Sequence, residues 1–306
     1  MKVVVLTGGV GGAKLVDGLY RLLPAHSITA IVNTGDDFVH FGLPVSPDID
    51  TLLYTLADKA NRTLGWGREG ETWSFMAALR SLGGEDWFNL GDGDLALHVL
   101  RGHALAQGEP LSAVTARFAN AWGLGLTVLP MSDNPVATWL ETDAGPLAFQ
   151  RYFVERKCRP SVASVRFEGA ERARPAPGVV EAIMAADAVV IAPSNPWLSV
   201  DPILAVPGIR AALTTCAAPV VAVSPLVEGK AVKGPTAKLM GELGLEVSNQ
   251  AIGEHYAGLL DAMLVHGQDA APEGLASART DTLMRDAADR ARVAKAALDL
   301  AAGLRT

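Results

Sequence analysis

The sequence contains few cysteines and no long apolar segment, and each of these features excludes a class of protein. The two cysteines, Cys158 and Cys216, do not have metal-ligand spacing. We therefore expect neither a disulfide framework nor a thiolate metal site, and the composition fits a reducing compartment. No stretch approaches the roughly eighteen apolar residues of a transmembrane helix, and the N-terminus shows no signal-peptide pattern. These features predict a cytoplasmic protein that has no membrane partner.

Basic residues are outnumbered by acidic ones. The chain has 26 Lys and Arg against 33 Asp and Glu, which gives a formal net charge of −7. Proteins that bind nucleic acid need a basic surface for the phosphate backbone, so we expect no nucleic-acid partner. Aromatic residues are also few, at 6%, but 49% of the 306 residues are hydrophobic. That is enough apolar material for the substantial core of an ordinary globular protein.

The first fourteen residues combine a strand with a glycine cluster. Lys2 to Leu6 is an apolar, β-branched run typical of a central parallel strand. Gly8, Gly9, Gly11 and Gly12 follow, and leucines at helical spacing come after Lys14. Such a loop lets a phosphate approach backbone N–H groups at the start of a helix. It matches neither the P-loop nor the dinucleotide pattern fully, so phosphate contact and a purely structural turn both remain open at this point.

The rest of the chain alternates strands and helices. This predicts an α/β fold, Rossmann-like, with a doubly wound, mostly parallel sheet and an inserted helical and hairpin region that is smaller. We expect the core to comprise 1–60 and 181–306, and the region 61–180 to cover the active site. The predicted strands are 2–6, 28–33, 126–130, 188–192, 220–223 and 263–265, with a hairpin over 136–149. The predicted helices are 49–60, 72–83, 94–107, 202–214, 236–243 and 282–300.

Carboxylates gather where the predicted strands end. They are Asp36, Asp37, Asp48 and Asp50, with Asp92, Asp94 and Asp133 in later loops. Such side chains hold Mg²⁺ in sites that handle phosphate groups, and a glycine loop with carboxylates suggests phosphoryl-type transfer. Each aspartate taken singly also fits a helix cap or a turn. Together they predict an acidic site in which at least two are functional.

Two polar turns follow later strands, at Pro193-Ser-Asn-Pro196 and Ser224-Pro225. They are suited to a base, ribose or phosphate at the sheet edge. Lysines 230, 233 and 238 flank Gly234-Pro235 and are candidates for a diphosphate contact, although solvated lysines are the common case. The histidines, among them His98, show no metal-binding spacing, and we expect structural roles for them.

Nine blocks in order along the chain resemble the 2-phospho-L-lactate transferase family of coenzyme F420 biosynthesis. They are Thr7-Gly-Gly-Val-Gly-Gly-Ala-Lys-Leu15, Asn33-Thr-Gly-Asp-Asp37, Ser46-Pro-Asp-Ile-Asp-Thr51, Leu90-Gly-Asp92, Leu129-Pro-Met-Ser-Asp133, Pro193-Ser-Asn-Pro196, Val223-Ser-Pro225, Gly234-Pro235 with Lys238-Leu-Met240, and Asp281-Thr-Leu-Met284. The resemblance runs from residue 1 to about residue 300.

The resemblance implies a specific reaction. Family members move a phosphorylated three-carbon acid from a guanosine-diphospho-activated donor to the terminal ribityl hydroxyl of the deazaflavin Fo, and GMP leaves. The acid is 2-phospholactate, phosphoenolpyruvate or 3-phosphoglycerate, and the choice among these donors stays open. The resemblance further implies Mg²⁺ dependence, a Rossmann-like core and a homodimer.

The resemblance also implies roles for individual residues. Asp50 and Asp48 are the expected catalytic residues, and Asp37, Asp48 and Asp50 the expected metal ligands. Asp50 would contact Fo and orient or deprotonate its hydroxyl. Asn89 stands where relatives often carry a basic residue, which puts the identity of the donor acid in doubt. The remaining expected substrate contacts are Gly8, Gly9, Gly11, Gly12, Lys14, Asn33, Thr34, Asp133, Ser194, Asn195 and Ser224.

Two other functions share part of the pattern. A nucleotide-sugar-binding regulator of the gluconeogenesis-factor type has a similar glycine loop and polar turns, but the Leu-Pro-Met-Ser-Asp and Asp-Thr-Leu-Met blocks favour the transferase. A nicotinamide dehydrogenase is suggested only by the strand, glycine loop and helix at the start. The second strand ends in Asn33 instead of the acidic residue that a ribose site would need.

Overall fold

The computed structural model describes residues 1–231 and 234–305, and its largest feature is a parallel sheet covered by helices on both faces. The strands are β1 (Val3–Thr7), β2 (Ile28–Val32), β3 (Phe38–His40), β4 (Leu43–Val45), β5 (Thr127–Pro130), β6 (Ala137–Thr142), β7 (Gly145–Ala148), β8 (Val162–Glu168), β9 (Ala188–Ile191), β10 (Val220–Val223), β11 (Leu226–Val227), β12 (Lys230–Ala231), β13 (Ala262–His266) and β14 (Ala276–Thr280).

The helices follow the same alternation along the chain. They are α1 (Gly9–Leu22), α2 (Pro47–Leu56), α3 (Ser74–Ser81), α4 (Asp94–Ala106), α5 (Leu111–Ala121), α6 (Val179–Met184), α7 (Asp201–Ala205), α8 (Ile209–Thr215), α9 (Thr236–Glu242), α10 (Asn249–His255) and α11 (Ala287–Gly303). Two short π-helical turns occur at Arg151–Glu155 and Pro196–Val200. None of the helices in the described residues combines the length and apolar character needed to cross a membrane.

Seven strands form the large sheet in the order β14-β13-β10-β9-β1-β2-β5, and every neighbouring pair is parallel. Side chains alternate between its two faces: Val4 and Leu6 enter one apolar core, while Val3 and Val5 enter the other. A sheet buried on both faces explains why β1, β9 and β10 read as uninterrupted apolar runs. The α/β fold with a mostly parallel sheet is confirmed.

The strand order places a crevice beside β1. The chain runs from β1 to β2 and β5 on one side, and it returns through β9, β10, β13 and β14 on the other. In open α/β sheets, ligands bind outside the carboxyl ends of the strands at the point where the order reverses. That point lies between β1 and β9, so the residues that follow these two strands are the ones brought together.

Helices α2 and α11 begin at residues that bear on the site and differ from those expected. Helix α2 starts at Pro47, after Ser46 as N-cap, and not at residue 49. Asp48 and Asp50 consequently lie within its first turn, where the helix dipole favours carboxylates. Helix α11 starts at Ala287 and not at 282, because the Asp286 side chain accepts a hydrogen bond from the Asp289 N–H (2.8 Å). Residues 281–286 therefore form a loop, and this loop reaches the site described below.

The following elements were not predicted from the sequence: helices α5, α6 and α10 and strands β3, β4, β8, β11, β12 and β14. Strands β6, β7 and β8 form a small antiparallel sheet, and β3 and β4 form a hairpin. The division into a core (1–60 and 181–306) and an inserted region (61–180) stays a prediction. One strand of that region, β5, pairs with β2 and forms an edge of the large sheet.

Candidate active site

A cleft of about 770 Å³ opens at the carboxyl ends of the central strands. The residues that line it follow β1 at Gly8, β2 at Asp36, β9 at Pro193, β10 at Ser224 and β14 at Thr282. Because parallel strands end at the same edge of a sheet, segments far apart in sequence meet here. The predicted site residues on its lining are Gly8, Gly9, Gly11, Lys14, Asp48, Asp50, Asn89, Ser194, Asn195 and Ser224.

The glycine loop is tied to its neighbours by its first N–H groups. The Gly8 N–H donates to Ser194 Oγ (3.1 Å), and Ser194 Oγ–H donates to the Gly8 carbonyl (2.7 Å). The Gly9 N–H donates to Asp48 Oδ1 (2.8 Å), and the positive φ of Gly9 (67°) suits a residue without a side chain. The N–H groups further into the first turn of α1 are the ones that the loop can offer to an anion.

Asp48 connects three segments of the site. Its Oδ1 accepts the Gly9 N–H, and its Oδ2 accepts Asn33 Nδ2 (2.9 Å). Burial raises the pKa of Asp48 to about 6, although these two hydrogen bonds oppose the shift. Both carboxylate oxygens therefore have protein partners, and Asp48 holds the glycine loop and the turn after β2 together.

Asp50 belongs to a second group of charged side chains. Arg101 Nη2 on α4 donates to Asp50 Oδ1, and His98 Nδ1 lies 3.8 Å from Asp50 Oδ2. His98 Nε2 is 3.2 Å from Asp94 Oδ2, and the Tyr54 hydroxyl donates to Asp94 Oδ1. One ligand atom from each of Asp50, Asp94 and His98 lies within 4.8 Å of the others, so this group could hold a metal ion.

The pKa values of this group move in opposite directions. Burial raises the pKa of Asp50, against the lowering effect of the nearby Arg101 and His98. Burial also acts to raise the pKa of Asp94, but its contacts with His98 and Tyr54 outweigh burial and leave the pKa lowered. Asp94 is therefore the more readily ionised of the two carboxyl groups.

Asp36 and Asp37 add two further buried carboxyl groups. Burial raises the pKa of both well above the usual range, and for Asp36 the charge of Asp48 adds to the shift. Ser46 Oγ–H donates to Asp37 Oδ2 (2.7 Å). The described residues offer no hydrogen-bond partner to Asp36 Oδ1, Asp37 Oδ1 or Asp50 Oδ2. Buried carboxylate oxygens without partners are costly, and a bound cation would relieve that cost.

The remaining predicted residues lie behind the cleft surface. Asn33 accepts the Gly35 N–H through Oδ1 (2.8 Å) while it donates to Asp48. Asp133 accepts the Ser112 N–H (2.7 Å) and hydroxyl (2.9 Å) at the start of α5. Five of the predicted site residues are not among the described residues that line the cleft: Gly12, Asn33, Thr34, Asp37 and Asp133.

The polar turns after β9 and β10 are held by their own side chains. Asn195 Oδ1 accepts the Trp197 and Leu198 N–H groups (both 3.0 Å), and its Nδ2 donates to Thr236 Oγ1 (3.0 Å). Ser224 Oγ–H donates to Asn249 Oδ1 (2.6 Å). These bonds fix two turns that form one end of the cleft.

The candidate lysines occupy different places. Lys14 Nζ donates to the Met284 carbonyl (2.8 Å), which joins the glycine helix to the loop 281–286. Lys238 donates to Glu242 Oε1 (2.5 Å) and to the Pro160 carbonyl (2.8 Å). Lys230 is exposed, and Lys233 lies outside the described residues. Of these four, only Lys14 is on the cleft lining among the described residues.

Aromatic side chains line another part of the cleft, here called its aromatic end. Trp66, Phe88, Phe149 and Phe153 line it, and the rings of Phe149 and Phe153 are stacked with centroids 5.3 Å apart. Trp66 is 48% exposed, so a flat ligand has an open ring face there. Asn89 lies at this end as well.

Several residues of this site were not predicted from the sequence. The sequence indicates Asp94 only as one of the carboxylates in later loops and favours a structural role for His98. It singles out neither Arg101 nor Trp66. Asp94, His98 and Arg101 are spaced i, i+4 and i+7, which places them on one face of a helix. That pattern was a usable signal, since α4 was predicted correctly over most of its length.

Comparisons with known proteins agree over the whole chain. Residues 3–303 match the model of the family described as 2-phospho-L-lactate transferase CofD. A phosphoenolpyruvate transferase of Streptomyces griseus is 43% identical, with 100% of both chains covered. Proteins of the same name from Nocardia farcinica and Mycolicibacterium smegmatis are each 40% identical and cover 98% of this chain, with 95% and 99% of their own lengths matched.

Solved structures support the fold. A crystal structure of a protein from Bacillus halodurans has a TM-score of 0.66 at 21% identity and covers 97% of this chain and 99% of its own. At that identity the likeness concerns the fold alone. It agrees with the α/β architecture described above.

Proposed function

The chain belongs to the 2-phospho-L-lactate transferase CofD family, and we propose that it transfers the phosphoenolpyruvate moiety of a guanosine-diphospho-activated donor to the deazaflavin Fo. It is a transferase of coenzyme F420 biosynthesis. The observation that carries the choice of acid is the match along the full chain to proteins named phosphoenolpyruvate transferase. Phospholactate and phosphoglycerate donors are the alternatives to be tested beside it.

The diphosphate of the donor fits the start of α1. The N–H groups of Val10 and Gly11 belong to the first helical turn and have no helical partner, and both residues line the cleft. The guanosine would then extend toward the turns at Asn195 and Ser224. Fixed polar turns beside a helix N-terminus support this orientation, because they leave the acidic and aromatic end for the acceptor.

The acceptor hydroxyl fits beside Asp50. In the proposed reaction, the terminal ribityl oxygen of Fo forms a bond to the phosphorus that carries the acid. The bond from that phosphorus to the bridging oxygen breaks, and GMP leaves with its electron pair. Asp50 Oδ2 has no protein partner and is suited to orient the hydroxyl and accept its proton. A carboxyl with a raised pKa is a better base for this step than an ordinary one.

The donor set supports Mg²⁺. Unpartnered buried oxygens of Asp36 and Asp37 are the hard ligands that this ion prefers. The Asp94 carboxylate, within 4.8 Å of the ligand atoms of Asp50 and His98, is close enough to contribute a further oxygen. Asp37 and Asp48 remain predicted ligands, but both Asp48 oxygens already accept hydrogen bonds. When bound, the ion supplies charge neutralisation for the transferred phosphate and the leaving group.

The aromatic end supports a tricyclic acceptor. Trp66 and Phe153 line it with partly exposed rings, and stacking on such rings suits a flat deazaflavin. The homodimeric state remains a prediction from the resemblance, and the cytoplasmic location remains a prediction from the sequence.

Side-by-side incubation of the purified protein with Fo, Mg²⁺ and each of the three donors tests the proposal. Mass spectrometry should find an Fo adduct and GMP, with the enolpyruvyl donor fastest. Absence of both products with every donor would refute transferase activity on Fo, and faster turnover of another donor would refute the choice of acid. Binding of a UDP-sugar without turnover would support the regulator instead.

An Asp50→Asn variant tests the role of the carboxylate. We expect turnover to fall by about 100-fold or more, the usual scale for losing a general base. The matched control is Asp299→Asn, because the Asp299 side chain is 64% exposed in a helical ion pair on α11 and does not line the cleft. Equal turnover of the two variants would remove Asp50 from the mechanism.

A further inference from the structure

Arg101 is the largest of the fully buried side chains, with 1% of its surface exposed. Guanidinium groups stay charged in proteins, so burying one is costly unless it is paired and hydrogen-bonded. Arg101 lies on α4, outside every sequence block that carries the family resemblance. Its burial beside an acidic cleft therefore calls for a specific role.

The guanidinium holds two consecutive parts of the chain at once. Nη2 donates to Asp50 Oδ1, and Nη1 donates to the carbonyl of Pro44 (3.2 Å). Pro44 is in β4, and Asp50 lies in the first turn of α2, which follows β4 directly. Arg101 thus fixes the bend between β4 and α2 and the carboxylate that this bend presents to the cleft.

Arg101 also determines the state of the neighbouring imidazole. Its Nη1 lies 3.3 Å from His98 Nδ1. A guanidinium only donates, so Nδ1 must offer a lone pair, and the ring proton is then on Nε2, which lies 3.2 Å from Asp94 Oδ2. One arginine consequently sets the orientation of both Asp50 and His98.

We propose that Arg101 is a positioning residue for phosphoryl-group transfer: by occupying Asp50 Oδ1 it keeps Oδ2 as the oxygen available to the acceptor hydroxyl. This inference rests on the proposed function and adds a residue to it. Without Arg101 the Asp50 carboxylate is free to rotate, and either oxygen can turn away from the acceptor. Misplacement by about 1 Å at a reacting group is enough to slow a reaction by about 100-fold.

Steady-state kinetics of Arg101→Met and Arg101→Lys test the proposal. We expect Arg101→Met to lower kcat by about 100-fold and to leave KM for the guanosine-activated donor within about 3-fold of wild type. Arg101→Lys should recover about 10-fold of that loss, since a lysine restores the charge but not the two-point hydrogen bonding. The matched control is Arg117→Met on α5, because the Arg117 side chain is 49% exposed in an ion pair with Glu109.

A double-mutant cycle separates positioning from a structural role. If Arg101 acts through Asp50, adding Arg101→Met to Asp50→Asn should lower kcat by no more than about 2-fold further. A full additional loss in that background would overturn the proposal, as would an Arg101→Met enzyme with near wild-type kcat. The double variant replaces both members of the ion pair, so neither is left as an unpaired buried charge. It therefore remains informative if Arg101→Met alone does not fold.

Urea unfolding of the same four proteins gives a readout that does not need turnover. If Arg101 is paired with Asp50, Arg101→Met should lower the free energy of unfolding more when residue 50 is aspartate than when it is asparagine. Equal effects in both backgrounds would show that Arg101 does not hold Asp50, and the proposal would fail even if the transferase reaction is found. If coupling is present but wild type turns over none of the donors, the proposed function fails, and the positioning role fails with it.

Discussion

Gly8 occupies a position where any side chain would meet two other parts of the site. A Cβ built on Gly8 would lie 2.7 Å from Asp48 Oδ2 and 2.7 Å from Ser199 Cβ. The backbone of Gly8 is extended (φ −156°, ψ 154°), a conformation open to every residue. A Gly8→Ala substitution therefore tests close packing alone, without backbone strain.

The size of the effect follows from the distances. Carbon atoms in contact are normally about 3.5–4.0 Å apart, so Ser199 or the loop must move by about 1 Å. A similar shift of Asp48 would stretch its hydrogen bonds to Gly9 and Asn33, now 2.8 and 2.9 Å, beyond useful length. Overpacking costs about 1–3 kcal/mol, and a lost hydrogen bond to a charged group about 1.5–3 kcal/mol. We expect a total of about 4 kcal/mol.

Thermal unfolding measures this cost directly. An unfolding entropy of about 2.1 cal/mol/K per residue over 306 residues gives about 0.6 kcal/mol per degree, so Tm should fall by about 6 °C. Gly241→Ala on α9 is the matched control, because a Cβ there meets no atom within 4 Å, and alanine favours a helix. A Gly8→Ala protein that melts within about 1 °C of wild type with unchanged kcat would refute the packing argument.

Two further predictions concern the charge and the aromatic end of the cleft. Because the folded-state pKa of Asp48 is raised to about 6 from an ordinary 3.8, the native state binds the proton more tightly, and this stabilising contribution is lost as pH rises through 6. Lowering the pH from 7.5 to 5 in EDTA should therefore raise the free energy of unfolding, measured by urea titration, by about 1 kcal/mol. A decrease in this free energy would contradict the prediction, as would the same increase in an Asp48→Asn variant. Trp66→Ala should raise KM for Fo by about 10-fold, the usual scale for a lost stacking contact. Trp73 lies outside the cleft lining, so Trp73→Ala should leave KM for Fo within about 2-fold of wild type. Equal KM values for the two variants would count against stacking on Trp66.

The sequence predicted the fold because its signals are local. The β-branched run before Gly8 has the composition of a strand buried on both faces, and the glycines after it permit the turn into α1. The helix boundaries were less well predicted. Asp286 caps α11 with its side chain, whereas Ser46 stands at the N-cap of α2 and donates its hydroxyl to Asp37 instead. The choice among nearby polar residues depends on hydrogen bonds that form only in the folded chain.

The roles of the aspartates could not be separated by sequence. Asp48 and Asp50 are two residues apart and equally acidic, but one accepts two hydrogen bonds from the loops around it and the other keeps an unpartnered oxygen. Asp133, a further predicted substrate contact, accepts hydrogen bonds from Ser112 at the start of α5. These differences depend on partners from distant segments.

The sequence by itself determined the family, the parallel α/β architecture and the set of segments that reach the cleft, since these depend on periodicity and on motifs in a fixed order. Only the tertiary structure decided which carboxylate oxygens have partners, and that Arg101, 51 residues away in sequence, is bonded to Asp50. The physical reason is that burial and pairing set the charge and orientation of a side chain, and both arise only when remote elements come together.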